Sequence, residues 1–170
     1  MLGKVKSLRE LFEIELCYAY DCEKKLVDKG LPTMIEKASS SELRTALQGH
    51  LRETQLQVTR LERIFAAIGM DPDTNSNAIL DAMMSAAKDS ASHIEDSPLR
   101  DAALIANGNM VEHYEIALYG SLVAFARSLG LQNAVGPLEE TLNEEKLADA
   151  KLTQLAERVL NPQAARTQTA

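Results

Sequence analysis

The 170-residue sequence is marked first by what it is short of. It has no tryptophan, and aromatic residues make up only 4% of it. It carries no basic run and no interleaving of aromatic and basic residues, and its formal net charge is −7. That balance makes nucleic acid and anionic membrane surfaces poor partners. No apolar run approaches the length that spans a bilayer. The segment from Met1 to Arg9 lacks the apolar core of a signal peptide, so cytoplasm is the expected compartment. Eight glycines and five prolines are few, and they fall where elements end. The two cysteines, Cys17 and Cys22, are five apart in a helical pattern and so point to different sides of a helix. They suit neither a disulfide nor a zinc clamp and read as small core residues.

What is present is alanine, leucine, glutamate and lysine at helical spacing, the composition of an all-α domain large enough for a real core. A first helical pattern runs from about Ser7 to Ala38, with Leu8, Leu11, Phe12, Glu15, Ala19, Cys22, Glu23 and Leu26 inward and an interruption at Gly30 and Pro32. Ser39 and Glu42 have capping-box spacing and open a second helix that stops at Gly69. Its inward stripe is Leu43, Leu47, His50, Glu53 or Thr54, Gln57, Leu61, Ile64 and Ile68. Residues 70–97 form a crossover holding a weak helix over Ile79 to Ala91. Ser97-Pro98 starts a third helix, with Ser97 as cap, that reaches Gly130. A fourth runs from near Asn133 to before Asn161-Pro162, with Val135, Leu138, Leu142, Glu145, Ala148 or Asp149, Leu152, Leu155 and Val159 inward. Residues 1–160 are thus expected to form one bundle, and residues 161–170 a disordered polar tail.

Two long helices, a crossover and two more long helices make a four-helix bundle with one long connection. A weak repeat supports it: Leu47 to Thr54 aligns with Leu138 to Glu145, and the register continues from Leu61 to Leu152 and from Ile64 to Leu155.

The chemistry sits on the third helix. Glu115 falls on an apolar stripe with Leu104, Gly108, Val111, Leu118 and Leu122, and Glu112 stands at its edge. An ionised carboxylate there needs a positive partner, and no lysine or arginine lies between Arg100 and Arg127. A bound cation is one candidate. Counting from the turns, Glu23 lies 17 residues before Ser40 and Glu53 lies 13 after it. Glu115 lies 16 before Leu131 and Glu144 lies 13 after it. At the helical rise, all four helices bring acid to one depth: Glu23, Glu53 with His50, Glu112 with Glu115, and Glu144 or Glu145. Carboxylates and an imidazole at one level of a helical core can bind two iron or manganese ions, with ligands three apart sharing a helix face. The plainer reading is that such residues reach water or pair with lysine and arginine. Tyr119, four after Glu115, is either a hydrogen-bond donor to a ligand carboxylate or a core aromatic with a satisfied hydroxyl. His93 and His113 read as surface or packing residues.

Several segments together resemble the YciE/YciF-like family of bacterial stress-response proteins within the ferritin-like superfamily. They are Tyr20-Asp21-Cys22-Glu23-Lys24-Lys25-Leu26, His50-Leu51-Arg52-Glu53-Thr54, Val111-Glu112-His113-Tyr114-Glu115-Ile116 and Glu140-Thr141-Leu142-Asn143-Glu144-Glu145-Lys146. The resemblance covers about residues 5–160. It implies a ferritin-like bundle and a di-iron centre similar to the rubrerythrin type. In that type the second helix carries Glu-x-x-His, whereas here His50-x-x-Glu53 is reversed and Gln57 stands nearer the usual histidine position. The reversal ranks His50 below Glu53 and Glu144 as a ligand. Two functions remain open. One is a stress protein whose metal pair reacts with oxygen or peroxide or sequesters iron. The other is a structural or interaction module with a vestigial or structural metal. A homodimer through an apolar helix face is the expected assembly.

Overall fold

The computed structural model describes residues 4–73 and 75–166. Helix α1 (Leu8–Lys25) starts at Ser7, whose hydroxyl accepts from the Glu10 amide. Its buried side includes Phe12, Leu16, Ala19, Cys22 and Glu23, while Leu8, expected inward, lies on the surface. The expected interruption is a widened, π-helical turn over Leu26–Gly30, after which α2 (Leu31–Lys37) continues the rod. Pro32 cannot donate to the carbonyl four residues back and its ring would clash there, and the wider turn absorbs both effects.

The turn into α3 (Ser41–Ile68) is set from outside. The amides of Ser39 and Ser40 donate to the two oxygens of the buried Asp101 carboxylate at 2.8 and 2.7 Å. This corrects the expected cap by one residue: Ser40, not Ser39, accepts the Leu43 amide. Gly69 ends α3 at φ +76°, a left-handed conformation that suits glycine.

The crossover carries α4 (Ala78–Ser92). Asn77 fastens it: its amide donates to Asp21 Oδ2 and its side chain to Tyr114 Oη at 2.7 Å. The cap of α5 (Ser97–Ser128) is Asp96 rather than Ser97, accepting from the Leu99 amide at 3.0 Å, with Pro98 in the first turn as expected. α6 (Gln132–Leu155) does not end the chain's order before Asn161. A second π turn over Ala156–Leu160 leads into α7 (Asn161–Arg166), where Ala164 is buried. The expected disordered tail is therefore wrong for residues 161–166, and residues 167–170 lie outside the described residues.

The rod α1–α2 packs antiparallel on α3, α5 packs antiparallel on α6, and the hairpins face each other through α1 on α5 and α3 on α6. This is the four-helix bundle with one long crossover expected from the sequence. Its core divides into two apolar clusters. One holds Phe12, Leu16, Phe65, Leu122 and Leu138, and the other Leu26, Leu43, Leu47, Leu104 and Leu160. The polar layer described next lies between them. Among the described residues no helix is long and apolar enough to cross a membrane.

Candidate metal centre

Five buried titratable side chains, contributed by four helices, meet in this layer: Glu23 from α1, His50 from α3, Glu112 and Glu115 from α5, and Glu145 from α6. Spacings of three place Glu112 and Glu115 on one face of α5, one turn apart. His50 and Gln57, seven apart, project from the same side of α3, and both are buried.

His50 Nε2 lies 3.2 Å from Glu112 Oε1 and 3.9 Å from Glu145 Oε2. One ligand atom from each of these three residues falls within 4.8 Å of the others, which is the span of a single coordination sphere. The Tyr119 hydroxyl donates to Glu23 Oε1 at 2.5 Å, and Cys22 Sγ donates to Glu115 Oε1 at 3.5 Å. Gln57 Nε2 donates to Glu145 Oε1 and, at 3.0 Å, to Glu144 Oε2.

Two sequence candidates lie outside this layer. Glu53 is at the rim, with its carboxylate 3.7 Å from His50 Nδ1 and 3.8 Å from Lys151 Nζ. Thr54 takes the buried position beside it and donates to the His50 carbonyl. Glu144 is held outward by Arg60, whose Nη1 donates to Glu144 Oε2 at 2.8 Å and whose Nη2 donates to Glu144 Oε1 at 3.1 Å. Arg60 also donates to Thr141 Oγ1 and pairs with Glu140. Thus Glu145 is the inward member of its pair.

Burial, with like charge crowded around each group, governs the proton affinities. Burial, reinforced by the neighbouring carboxylates, pushes Glu23 up to about 7 even though the Tyr119 hydrogen bond pulls it down. Burial and the Glu23 charge push Glu145 up to about 10. Burial, with Glu23, Glu145 and Glu112 around it, raises Glu115 well above the carboxylate range. Burial alone would lower His50, but the charges and hydrogen-bonding positions of Glu112, Glu53 and Glu145 outweigh it and raise it well above the usual value.

Among the described residues, protein groups do not satisfy the layer: Glu23 Oε2, Glu112 Oε2, Glu115 Oε2, Glu145 Oε2, His50 Nδ1 and Gln57 Oε1 are buried without a hydrogen-bond partner. Native interiors rarely leave so many polar atoms unmatched in one place. Four of these are carboxylate oxygens, whose lone pairs a cation satisfies directly. Carboxylates with an imidazole are also a donor set that can hold a divalent cation. The residues therefore fit a metal.

Arg60 was not singled out from the sequence. It lies three residues after Gln57, and only the packing of α3 on α6 brings it to Thr141 and Glu144. Cys22, read only as core, touches the layer, because its position one residue before Glu23 turns it toward α5.

Residues 7–165 match the family model described as a domain of unknown function, DUF892. The chain is 34% identical over 161 residues to the protein YciF of Escherichia coli strain K12, covering 94% of this chain and 96% of that one. The crystal structure of the E. coli stress protein YciF superposes with a TM-score of 0.87 at 34% identity, covering 92% of this chain and 99% of that one. YcfI of Rhodopseudomonas palustris, provisionally described as a structural protein, also gives 0.87, at 38% identity, covering 90% of this chain and 97% of that one. A Xanthomonas campestris protein at 23% identity and TM-score 0.75, covering 95% of this chain and 99% of that one, shares the fold.

Proposed function

The chain belongs to the DUF892 family, and from that premise we propose that its bundle core holds one or two iron or manganese ions. Glu23, His50, Glu112, Glu115 and Glu145 are the ligands. The observation that carries this reading is the set of unmatched buried carboxylate oxygens facing one layer. Bound there, iron supplies redox chemistry toward oxygen or peroxide, or is simply held out of solution under stress.

The chain's own residues have distinct parts in this. Gln57 fixes one Glu145 oxygen and leaves Oε2 free toward His50 Nε2. Tyr119 fixes Glu23 in the same manner, leaving Oε2 free. Each tether orients a carboxylate before any ion arrives, so less ordering remains for binding. The apolar clusters above and below exclude water and strengthen every charge interaction in the layer. Protons held on Glu23, Glu115 and Glu145 leave as cations enter, so loading releases acid.

Anaerobic reconstitution of the full chain with ferrous iron, followed by elemental analysis, tests the reading. One to two ions per chain is expected, and a value well below one overturns it. A second reading, a bundle whose role is structural, accords with the structural role ascribed to the R. palustris relative. Oxygen or peroxide consumption by the iron-loaded protein separates the two.

A further inference from the structure

The five buried ligands form an enclosed layer, so a cation needs a path from solvent. A cavity of about 20 Å³, room for roughly one water, lies between α3 and α6, with Leu47 and Leu152 lining it beside Ala46, His50, Glu53, Ala148 and Lys151. Ala46 and Ala148 contribute only methyl groups to its wall, where larger side chains would fill the space. Glu53 stands at the mouth, partly exposed. One of its oxygens is 3.7 Å from His50 Nδ1, a buried nitrogen with no hydrogen-bond partner, and the other is 3.8 Å from Lys151 Nζ. The imidazole therefore stands between a rim carboxylate and the buried Glu112, 3.2 Å from its other nitrogen. The Lys151 side chain is mostly exposed on a flexible stem and can swing away.

Building on the metal reading above, we propose that this α3–α6 groove is the route by which divalent cations reach the buried carboxylates. Glu53 captures the cation at the mouth, and Lys151 occupies Glu53 until the cation displaces it. A partly exposed carboxylate can take an ion that still keeps most of its water, and the shell is then exchanged stepwise for His50, Glu112 and Glu145. That is easier than stripping a hydrated ion in one step. The competing opening is a cavity of about 330 Å³ between α1, α4 and α5, bordered by Glu15, Asn77, Tyr114 and Ser121. There the Asn77 side chain donates to the Tyr114 hydroxyl, so these two lining groups are already engaged with each other.

The test is stopped-flow mixing of the metal-free full chain with Co²⁺, followed by its visible absorption, with the dissociation constant measured separately. A residue on the path alters passage in both directions. Glu53→Gln is expected to slow uptake and release each at least about tenfold, with the dissociation constant moving less than about threefold. Lys151→Ala is expected to speed uptake a few-fold, and the gain to shrink in high salt. Ala46→Phe, which plugs the mouth, slows uptake, whereas Ser121→Phe at the other opening does not. Rates indifferent to Glu53→Gln and Ala46→Phe overturn the route while leaving the metal reading intact, and so does slowing by Ser121→Phe alone. If Glu53→Gln instead speeds release, Glu53 is an equilibrium ligand and the route is overturned. Absence of Co²⁺ uptake by the wild type overturns both readings.

Discussion

Tyr119 reaches from α5 to α1 and donates its hydroxyl to Glu23 Oε1 at 2.5 Å, while Glu23 Oε2 has no hydrogen-bond partner among the described residues. Both side chains are fully or almost fully buried. Removing a donor to a buried acid costs about 1–3 kcal/mol, because the acceptor stays dry and unmatched. Tyr119→Phe should therefore destabilise the metal-free protein by that amount in urea titrations. It should also weaken metal binding, because Glu23 loses its orientation. An unchanged urea midpoint would show that Glu23 finds another partner.

Glu115 gives a prediction of opposite sign in two conditions. Its Oε2 is unmatched and its neighbours are Glu23, Glu145 and Glu112. Replacing it by glutamine removes a charge from a crowded site, so the metal-free protein should gain about 1–3 kcal/mol at pH high enough to ionise the wild-type group. With iron bound the change should destabilise, since an amide is a poorer ligand than a carboxylate and binding stabilises the native state. Thermal melts with chelator and with anaerobic ferrous iron read both signs. Equal destabilisation in the two conditions would make Glu115 a structural hydrogen-bonding residue.

Stability of the metal-free protein should fall as pH rises. Glu23, raised to about 7, and Glu145, raised to about 10, keep protons in the folded state that the unfolded chain releases above about 4.3. Such raised groups contribute stability fully present below the unfolded value and lost as pH climbs through the folded one. His50, also raised, acts in the same direction above about pH 6.5. The slope is about 1.4 kcal/mol per pH unit for each excess proton held by the folded state. The Glu23 part is lost between about pH 4 and 7, and the others extend the decline upward. Melts at pH 5, 6, 7 and 8 in chelator should show it. Metal should flatten or reverse the trend, because ligation requires the deprotonated forms.

The reversed His50-x-x-Glu53 order ranks Glu53 and Glu144 above His50, whereas burial points to the opposite order, which we propose. His50 and Glu145 lie inside the layer, while Glu53 is at the rim and Glu144 is clamped by Arg60. His50→Ala and Glu145→Ala should each lower equilibrium iron or Co²⁺ affinity by at least about tenfold. Glu144→Ala should change it by less than about threefold. Competition titrations against a chelator of known affinity measure the order, and a larger loss for Glu144→Ala would reverse it.

The long helices, the crossover, the stop at Gly69 and the depth at which acids from four helices meet were all legible in the sequence. Those features are local or one-dimensional. Apolar spacing, caps and glycine conformation act within a few residues, and residue counts from a turn convert directly into distance along a helix. The repeat even carried the correct pairing of rim with rim: Glu53 aligns with Glu144, and buried Thr54 aligns with buried Glu145. It could not say which pair was which. Adjacent helical residues differ by about 100° around the axis, so a rotation of about that size exchanges Glu144 for Glu145. That rotation is fixed by long-range partners: Arg60 draws Glu144 outward, and Gln57 holds Glu145 inward. Tertiary structure likewise moved the cap from Ser39 to Ser40 through Asp101, 61 residues away, and carried α7 past Asn161. It also gave Glu23 its donor, Tyr119, 96 residues along the chain. Each is a contact between groups remote in sequence, whose geometry exists only once the helices have packed.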